Sequence, residues 1–326
     1  MAPQRKILVT GGLGFIGHNI VQRLESLNYH VIITDTRTNY GLIPQDELDY
    51  VIKERLKKIK TKEIYLIDIA DSEGIDFLLR KHSPDIIVHT ASFPRQKTVN
   101  ANPQAGSRVM SEGLLNLLEA SKKHKVRKFI YISSSMVYGD FTDNVREDAV
   151  CKPQGQYGIM KLAGEWLVSD YSRRGFFDHV IIRPSAVYGE LDVEDRVVSK
   201  FLLTAMRGET LEVNGATETL DFTHVDDTTD GIVAAVLSSN GKNKTYNITK
   251  SHSWSLLHAA NLAIKIVGRG TVEVGNKNPN FPSRGALNID AARRDFGYDP
   301  KIGIEEGFQR YYDWFNSSLY WTPKTV

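Results

Sequence analysis

A single cysteine, Cys151, stands among 326 residues. One thiol forms no internal disulfide, and a cysteine-based metal site is left without its ligands. Long apolar runs are missing too. No segment approaches the roughly 20 residues that cross a bilayer, and the apolar stretch before the first glycines, 7–9, is far shorter than a signal-peptide core. The expected location is therefore the cytoplasm, with no membrane partner and no metal. Charge of one sign is also scarce. The 41 Lys and Arg against 39 Asp and Glu leave +2, too little to point to nucleic acid. The densest basic run, 53–62, contains Glu54 and reads as a solvated helix face. No repeat or low-complexity tract is present. What remains is ordinary globular composition, long enough to bury one large core or one core and a smaller partner.

In the first half, short β-branched runs at 6–10, 31–34, 63–67, 86–89, 129–133 and 179–183 alternate with amphipathic stretches at 15–27, 46–60, 72–81, 105–124 and 157–174. That alternation predicts an α/β fold, a doubly wound parallel sheet of the Rossmann type. After Gly189 the rhythm changes. A helix over 195–207, a hairpin-like piece at 209–215, a strand at 245–249, a helix over 255–267, a loop at 276–285 and a closing helix over 304–315 describe a smaller C-terminal α/β lobe. The expected division is a dinucleotide-binding domain over 1–185 and a substrate lobe over 186–326, with segments near 220–250 returning to the main domain.

The turn Thr10-Gly-Gly-Leu-Gly-Phe-Ile-Gly17 lies between a predicted strand and a predicted helix. Gly11, Gly14 and Gly17 allow a tight turn, close approach of backbone to a pyrophosphate, and phosphate charge at a helix N-terminus, with Phe15 and Ile16 in the same turn. The second strand ends in Asp35, about twenty residues on, where a carboxylate accepts from ribose hydroxyls. Asp35 would repel a 2′-phosphate, so NAD is expected over NADP; Arg37, which can serve a phosphate, pulls the other way. Asp68 and Ile69, after the third strand, suit an adenine contact or a plain turn.

Tyr157-Gly-Ile-Met-Lys161 puts a phenol and an ammonium on one helix face. The expectation is that the ammonium stabilises the phenolate and lowers a pKa normally near ~10. Such a Tyr can take a proton from a hydroxyl or return one while a nicotinamide carries the hydride. Ser133-Ser134-Ser135, closing the fifth strand, offers a hydroxyl to the reacting oxygen or a cap for the next turn.

Taken in order, these motifs resemble the extended short-chain dehydrogenase/reductases acting on nucleotide sugars, of which UDP-glucose 4-epimerase is the example. The resemblance spans nearly the whole chain: the turn at 10–17, Asp35, Asp68, His89-Thr-Ala91, the helix 113–120, Ser-Ser-Ser-Met-Val-Tyr-Gly at 133–139, and Tyr157 with Lys161. It continues through Arg183-Pro-Ser-Ala-Val-Tyr-Gly189, Asp221-Phe-Thr-His-Val-Asp-Asp227 and a closing Gly297-Tyr-Asp-Pro300. It implies Ser134, Tyr157 and Lys161 as the catalytic set, with Lys161 also on the nicotinamide ribose. Thr90, Ala91, Ser92, Ser133, Pro184 and Val187 would line the cofactor. Arg284 would grip the substrate diphosphate, with Arg196 and Arg95 as further candidates. A homodimer is implied through the helices at 105–124 and 157–174, where Ile159, Leu162, Ala163, Trp166 and Leu167 offer apolar surface.

Departures bear on the reaction. Dehydrating relatives carry Asp-Glu just after the catalytic hydroxyl residue; here those places are Ser135 and Met136, so 4,6-dehydration is disfavoured. Decarboxylating relatives have Glu near Met136 and lose ground as well. Met110, Ala186 and Leu220 replace an Asn, an Asn and an Arg usual in the epimerases, which leaves the sugar open. The leading expectation is a nucleotide-sugar 4-epimerase with resident NAD. The second is a C4 reductase or dehydrogenase with exchangeable cofactor. A non-catalytic NAD-binding regulator is the third, and the intact Ser134, Tyr157 and Lys161 argue against it.

Overall fold

The computed structural model describes residues 5–41, 43–193 and 195–321. The first part runs β1 (Lys6–Thr10), α1 (Phe15–Ser26), β2 (His30–Thr34), α2 (Gln45–Lys58), β3 (Ile64–Tyr65), α3 (Ser72–His82) and β4 (Ile86–His89). Then come α4 (Gln96–Ala101), α5 (Pro103–Ser107), α6 (Gly113–Lys123), β5 (Lys128–Ile132), α7 (Gln156–Arg173) and β6 (Asp178–Pro184). Beyond it lie β7 (Val187–Tyr188), α8 (Val197–Met206), β8 (Thr210–Asn214), β9 (Thr219–Leu220), β10 (Thr223–His224) and α9 (Val225–Leu237). The chain ends with β11 (Lys244–Ile248), β12 (Trp254–Ser255), α10 (Leu256–Val267), β13 (Thr271–Gly275), α11 (Asp290–Phe296) and α12 (Ile304–Ser317).

Seven parallel strands form the main sheet in the order β11-β6-β5-β4-β1-β2-β3. Successive strand side chains face opposite ways, and β1 shows it: Ile7 and Val9 enter the core with Ile20, Val21 and Leu24 of α1, while Leu8 enters the other with Leu78 of α3 and Leu117 of α6. Helices cover both faces, as a parallel sheet requires. Chain order reverses between β4 and β2 around β1, and a crevice outside the strands' carboxyl ends is expected there. A third core, built by α8, α10 and α12 with β8, forms the lobe above those ends.

Several expectations need correction. Residues 209–215 do not form a hairpin: β8 pairs in parallel with β13, through Thr210↔Thr271 to Asn214↔Gly275. A parallel partner sixty residues away leaves no local turn signal. The helix expected over 105–124 is interrupted by a π-helical turn, Arg108–Glu112, of the kind often found beside functional sites. Helix α9 is not expected from the sequence, because its opening Asp and Thr residues and Gly231 blur a helical period; it packs on α1. On α7, Leu162 turns into the protomer's own core with Val137, Tyr138 and Leu287, whereas Ile159 and Trp166 stay exposed. Among the described residues no helix is long and apolar enough to cross a membrane.

Candidate active site

The carboxyl ends of β1, β2, β4, β5 and β6 open on one cavity of about 800 Å³, roofed by residues of the lobe. Every residue named above as a candidate for cofactor, substrate or chemistry borders it. At its floor lies the glycine turn. Gly11 has φ +68°, and a Cβ there would sit 2.7 Å from the Ala91 nitrogen. A Cβ on Gly17 would meet the Gly11 carbonyl oxygen at 2.1 Å, so only hydrogen lets α1 approach β1 this closely. The resulting bare-backbone cradle at a helix start fits a dinucleotide pyrophosphate.

Asp35 is fixed at the end of β2. Its Oδ2 accepts from the Leu13 N–H at 2.9 Å and its Oδ1 from the Arg37 N–H at 2.8 Å. Arg37 is exposed, with φ +53°. Asp68 accepts from the Ala70 N–H at 2.9 Å, a turn that presents Ile69 to the cavity. Thr90 donates to the Thr10 carbonyl at 2.7 Å, locking the β4 end onto the glycine turn beside Ala91 and Ser92.

At the other end of the cavity stand Ser134, Tyr157 and Lys161. Ser134 Oγ accepts from the Met136 N–H at 3.2 Å, capping a 3₁₀ turn, and the side chain stands beside Tyr157, where it favours the phenolate. The buried Lys161 donates to the Ile132 carbonyl at 2.8 Å, and its Nζ lies 5.9 Å from the Tyr157 ring centroid. The expected electrostatics are corrected here. Burial pushes the Tyr157 phenol up, and the groups that oppose it are Arg196, Ser134 and Arg95, not Lys161. The ammonium instead faces the sheet end, where burial draws its pKa down to about 8 against the pull of Glu165.

Beneath this end runs a buried network. Glu165 pairs with Arg183 through bonds of 2.9 and 2.6 Å and accepts from the Ser133 hydroxyl. Arg183 also donates to the Tyr138 hydroxyl at 2.9 Å, and Tyr138 donates to Asn247 of β11 at 2.8 Å. The strand-end serines and the helix bearing Tyr157 are thereby held in one frame.

The three arginines differ in their partners. Arg95 forms an ion pair with Asp195, on a backbone of φ +69° and ψ 150° that side chains rarely adopt. Arg196 Nε stands 3.5 Å from Asp192. Arg284 has a buried Nε with no hydrogen-bond partner, and burial draws its pKa down to about 10, opposed by Glu218. A cation so placed on a cleft wall suits an incoming anion.

Arg55, Asp192, Tyr40, Gln96 and Phe281 also border the cavity and were missed. For Arg55 a signal existed: it follows Val51 by four and Ile52 by three, which places it on the apolar stripe of α2 rather than on a solvated face. Phe281 sits in a loop, where no periodicity points to a site.

A Rossmann sheet with this cradle and a strand-end carboxylate is the architecture of a dinucleotide-binding protein. The chain belongs to the NAD dependent epimerase/dehydratase family, whose model matches residues 7–249. NAD is its cofactor. Among its relatives, the uncharacterized UDP-glucose epimerase YtcB of Bacillus subtilis (strain 168) is 29% identical over 312 residues, 93% of this chain and 95% of that one. Human dTDP-D-glucose 4,6-dehydratase is 26% identical, over 97% of this chain and 91% of its own. The UDP-glucuronic acid 4-epimerase of Bacillus cereus, solved with UDP-glucuronic acid and NAD, superposes with a TM-score of 0.88 at 29% identity, covering 96% and 99% of the two chains.

Proposed function

We propose that this family member is a nucleotide-sugar 4-epimerase. The observation that carries the reading is the pairing of Ser134, Tyr157 and Lys161 at one cavity end with an absence of acid beside them. Where dehydrating relatives place Asp-Glu, Ser135 is bonded to the Ser185 hydroxyl at 3.1 Å and Met136 is buried. The cavity's lobe-side carboxylates, Asp192 and Asp195, are engaged with arginines. Among the described residues, no carboxylate at that end of the cavity is thus poised to strip a C5 proton or expel a C6 hydroxyl.

NAD, when bound, supplies a reversible hydride acceptor. The glycine turn and Asp35 hold its pyrophosphate and ribose, and Lys161 its nicotinamide ribose. Tyr157 takes the proton of the C4 hydroxyl, Ser134 hydrogen-bonds the same oxygen, and Tyr157 returns the proton after the 4-keto sugar has turned in the pocket. Arg284 retains the diphosphate during that rotation, with Arg95 and Arg196 beside it. The division at 185/186 assigns cofactor to the main sheet and sugar nucleotide to the lobe. Exposed Ile159 and Trp166 on α7 support pairing of two copies.

Two measurements test this. Incubated with UDP-, GDP-, CDP- and dTDP-sugars and no added cofactor, the protein should invert C4 of one of them by NMR. Turnover only on addition of a nicotinamide cofactor would replace the proposal with the C4 reductase or dehydrogenase reading. Removing the Asp35 carboxylate (Asp35→Ala) should cost about 1.5–3 kcal/mol of charge-assisted hydrogen bonding, roughly ten- to hundredfold in Kd for NAD, and narrow its preference over NADP. Unchanged Kd values for both dinucleotides would remove Asp35 from the site.

A further inference from the structure

Arg55 is only 4% exposed, although it lies in the most basic stretch of the chain. Its guanidinium bridges two carbonyls from opposite sides of the cavity. Nη1 donates to Leu13 O at 2.9 Å, within the glycine turn, and Nη2 donates to Leu191 O at 2.7 Å, in the loop after β7. Each end leads further. The Leu13 N–H is bonded to Asp35, so the contact continues to the end of β2. Leu191 holds φ +68°, a left-handed backbone that costs a non-glycine residue energy, and the next residue, Asp192, is 1% exposed. Asp192 Oδ1 accepts from the Val193 N–H at 2.9 Å, and Oδ2 faces Arg196 Nε. The start of the loop is pinned separately, by Glu190 against His224 and Arg310. Burial opposes the Arg55 charge, while Asp192 and Asp35 favour it from the two sides. A planar fork serves two diverging carbonyls; a lysine offers a single point.

We propose that Arg55 is a positioning residue that couples occupation of the dinucleotide cradle to the order of the loop carrying Asp192 and Arg196. The proposal rests on the placement of NAD and substrate given above. A cofactor that immobilises the turn at Leu13 also immobilises the guanidinium, and with it the Leu191 carbonyl. The loop is then set before the sugar nucleotide arrives, which lowers the ordering cost of the second ligand. By linkage, the sugar nucleotide strengthens NAD retention by the same factor.

Hydrogen exchange of the full chain, first stripped of resident NAD and then measured with and without saturating NAD, tests this. In the unmutated protein, amides at 11–17 and at 189–196 should both slow, by at least about fivefold, the lower end of usual coupling factors. In Arg55→Lys, and in Arg55→Gln as the second variant, 11–17 should still slow while 189–196 does not. Protection at 11–17 without protection at 189–196 in the unmutated protein overturns the coupling and leaves the functional reading intact, whether or not either variant folds. Equal protection of 189–196 in a folded variant also overturns it. No protection at 11–17 overturns both, since the cofactor would then lie elsewhere.

Discussion

Replacing Tyr157 with phenylalanine should lower turnover by roughly 10²- to 10⁴-fold, the range that a positioned acid or base supplies, while bound NAD and the melting temperature stay unchanged. The reason is local. In the proposed reaction the phenol takes and returns the proton, and its neighbours Arg196, Ser134 and Arg95 favour its anion against burial. Phenylalanine keeps the ring's packing and removes only the hydroxyl. A Tyr157→Phe variant retaining more than a tenth of native turnover would show that another group moves the proton. Lys161 gives the internal contrast. Its ammonium is bonded to the Ile132 carbonyl, so its loss should disturb cofactor retention as well as rate, whereas Tyr157→Phe should separate the two.

The largest effect on stability is expected from Glu165→Ala. Glu165 and Arg183 are paired with side chains 4% and 6% exposed, and removing one partner of a buried pair costs about 3–5 kcal/mol because the other charge is left uncompensated. Arg183 would keep its bonds to Tyr138 and the Glu147 carbonyl, which satisfy donors but not charge. Against a typical total of roughly 5–15 kcal/mol, that loss should shift the urea midpoint strongly. A change below about 1 kcal/mol would mean that the cavity or water neutralises Arg183. Replacing both residues with leucine should recover much of the loss, since the desolvation of two charges disappears with them. The same deletion removes the carboxylate that holds the Lys161 pKa up. The remaining shift, by burial, is downward from about 8, so the ammonium fraction near neutral pH would fall. The variant should therefore lose activity even at temperatures where it stays folded.

Much of this arrangement was legible in the sequence because its signals are local. The glycine spacing fixes where backbone approaches backbone, and Asp35 ends an unmistakably apolar strand. Tyr157 and Lys161 are one helical turn apart. What escaped depends on partners far along the chain. No periodicity reveals that β8 lies beside β13. No spacing shows that the Lys161 ammonium turns to the Ile132 carbonyl while two arginines from other loops face Tyr157. Arg55 escaped for a different reason: a cation among lysines is read as surface unless its phase on the apolar stripe is followed. The loop bearing Phe281 and Arg284 carries no pattern, and Arg284 was reached only through resemblance.

The edge strand β11 joins β6 after a detour of some sixty residues through the lobe. During synthesis, β6 emerges and waits with one row of its backbone donors and acceptors unpaired. An open strand edge invites pairing with other chains, and a contact of such long sequence separation is rewarded only after its loop entropy has been met. The charged ends of β6 and β11, Asp178 and Lys244, flank that seam as they do many natural sheet edges. The main sheet is thus finished last by a strand that returns from the lobe, and its assembly is a property of the whole chain.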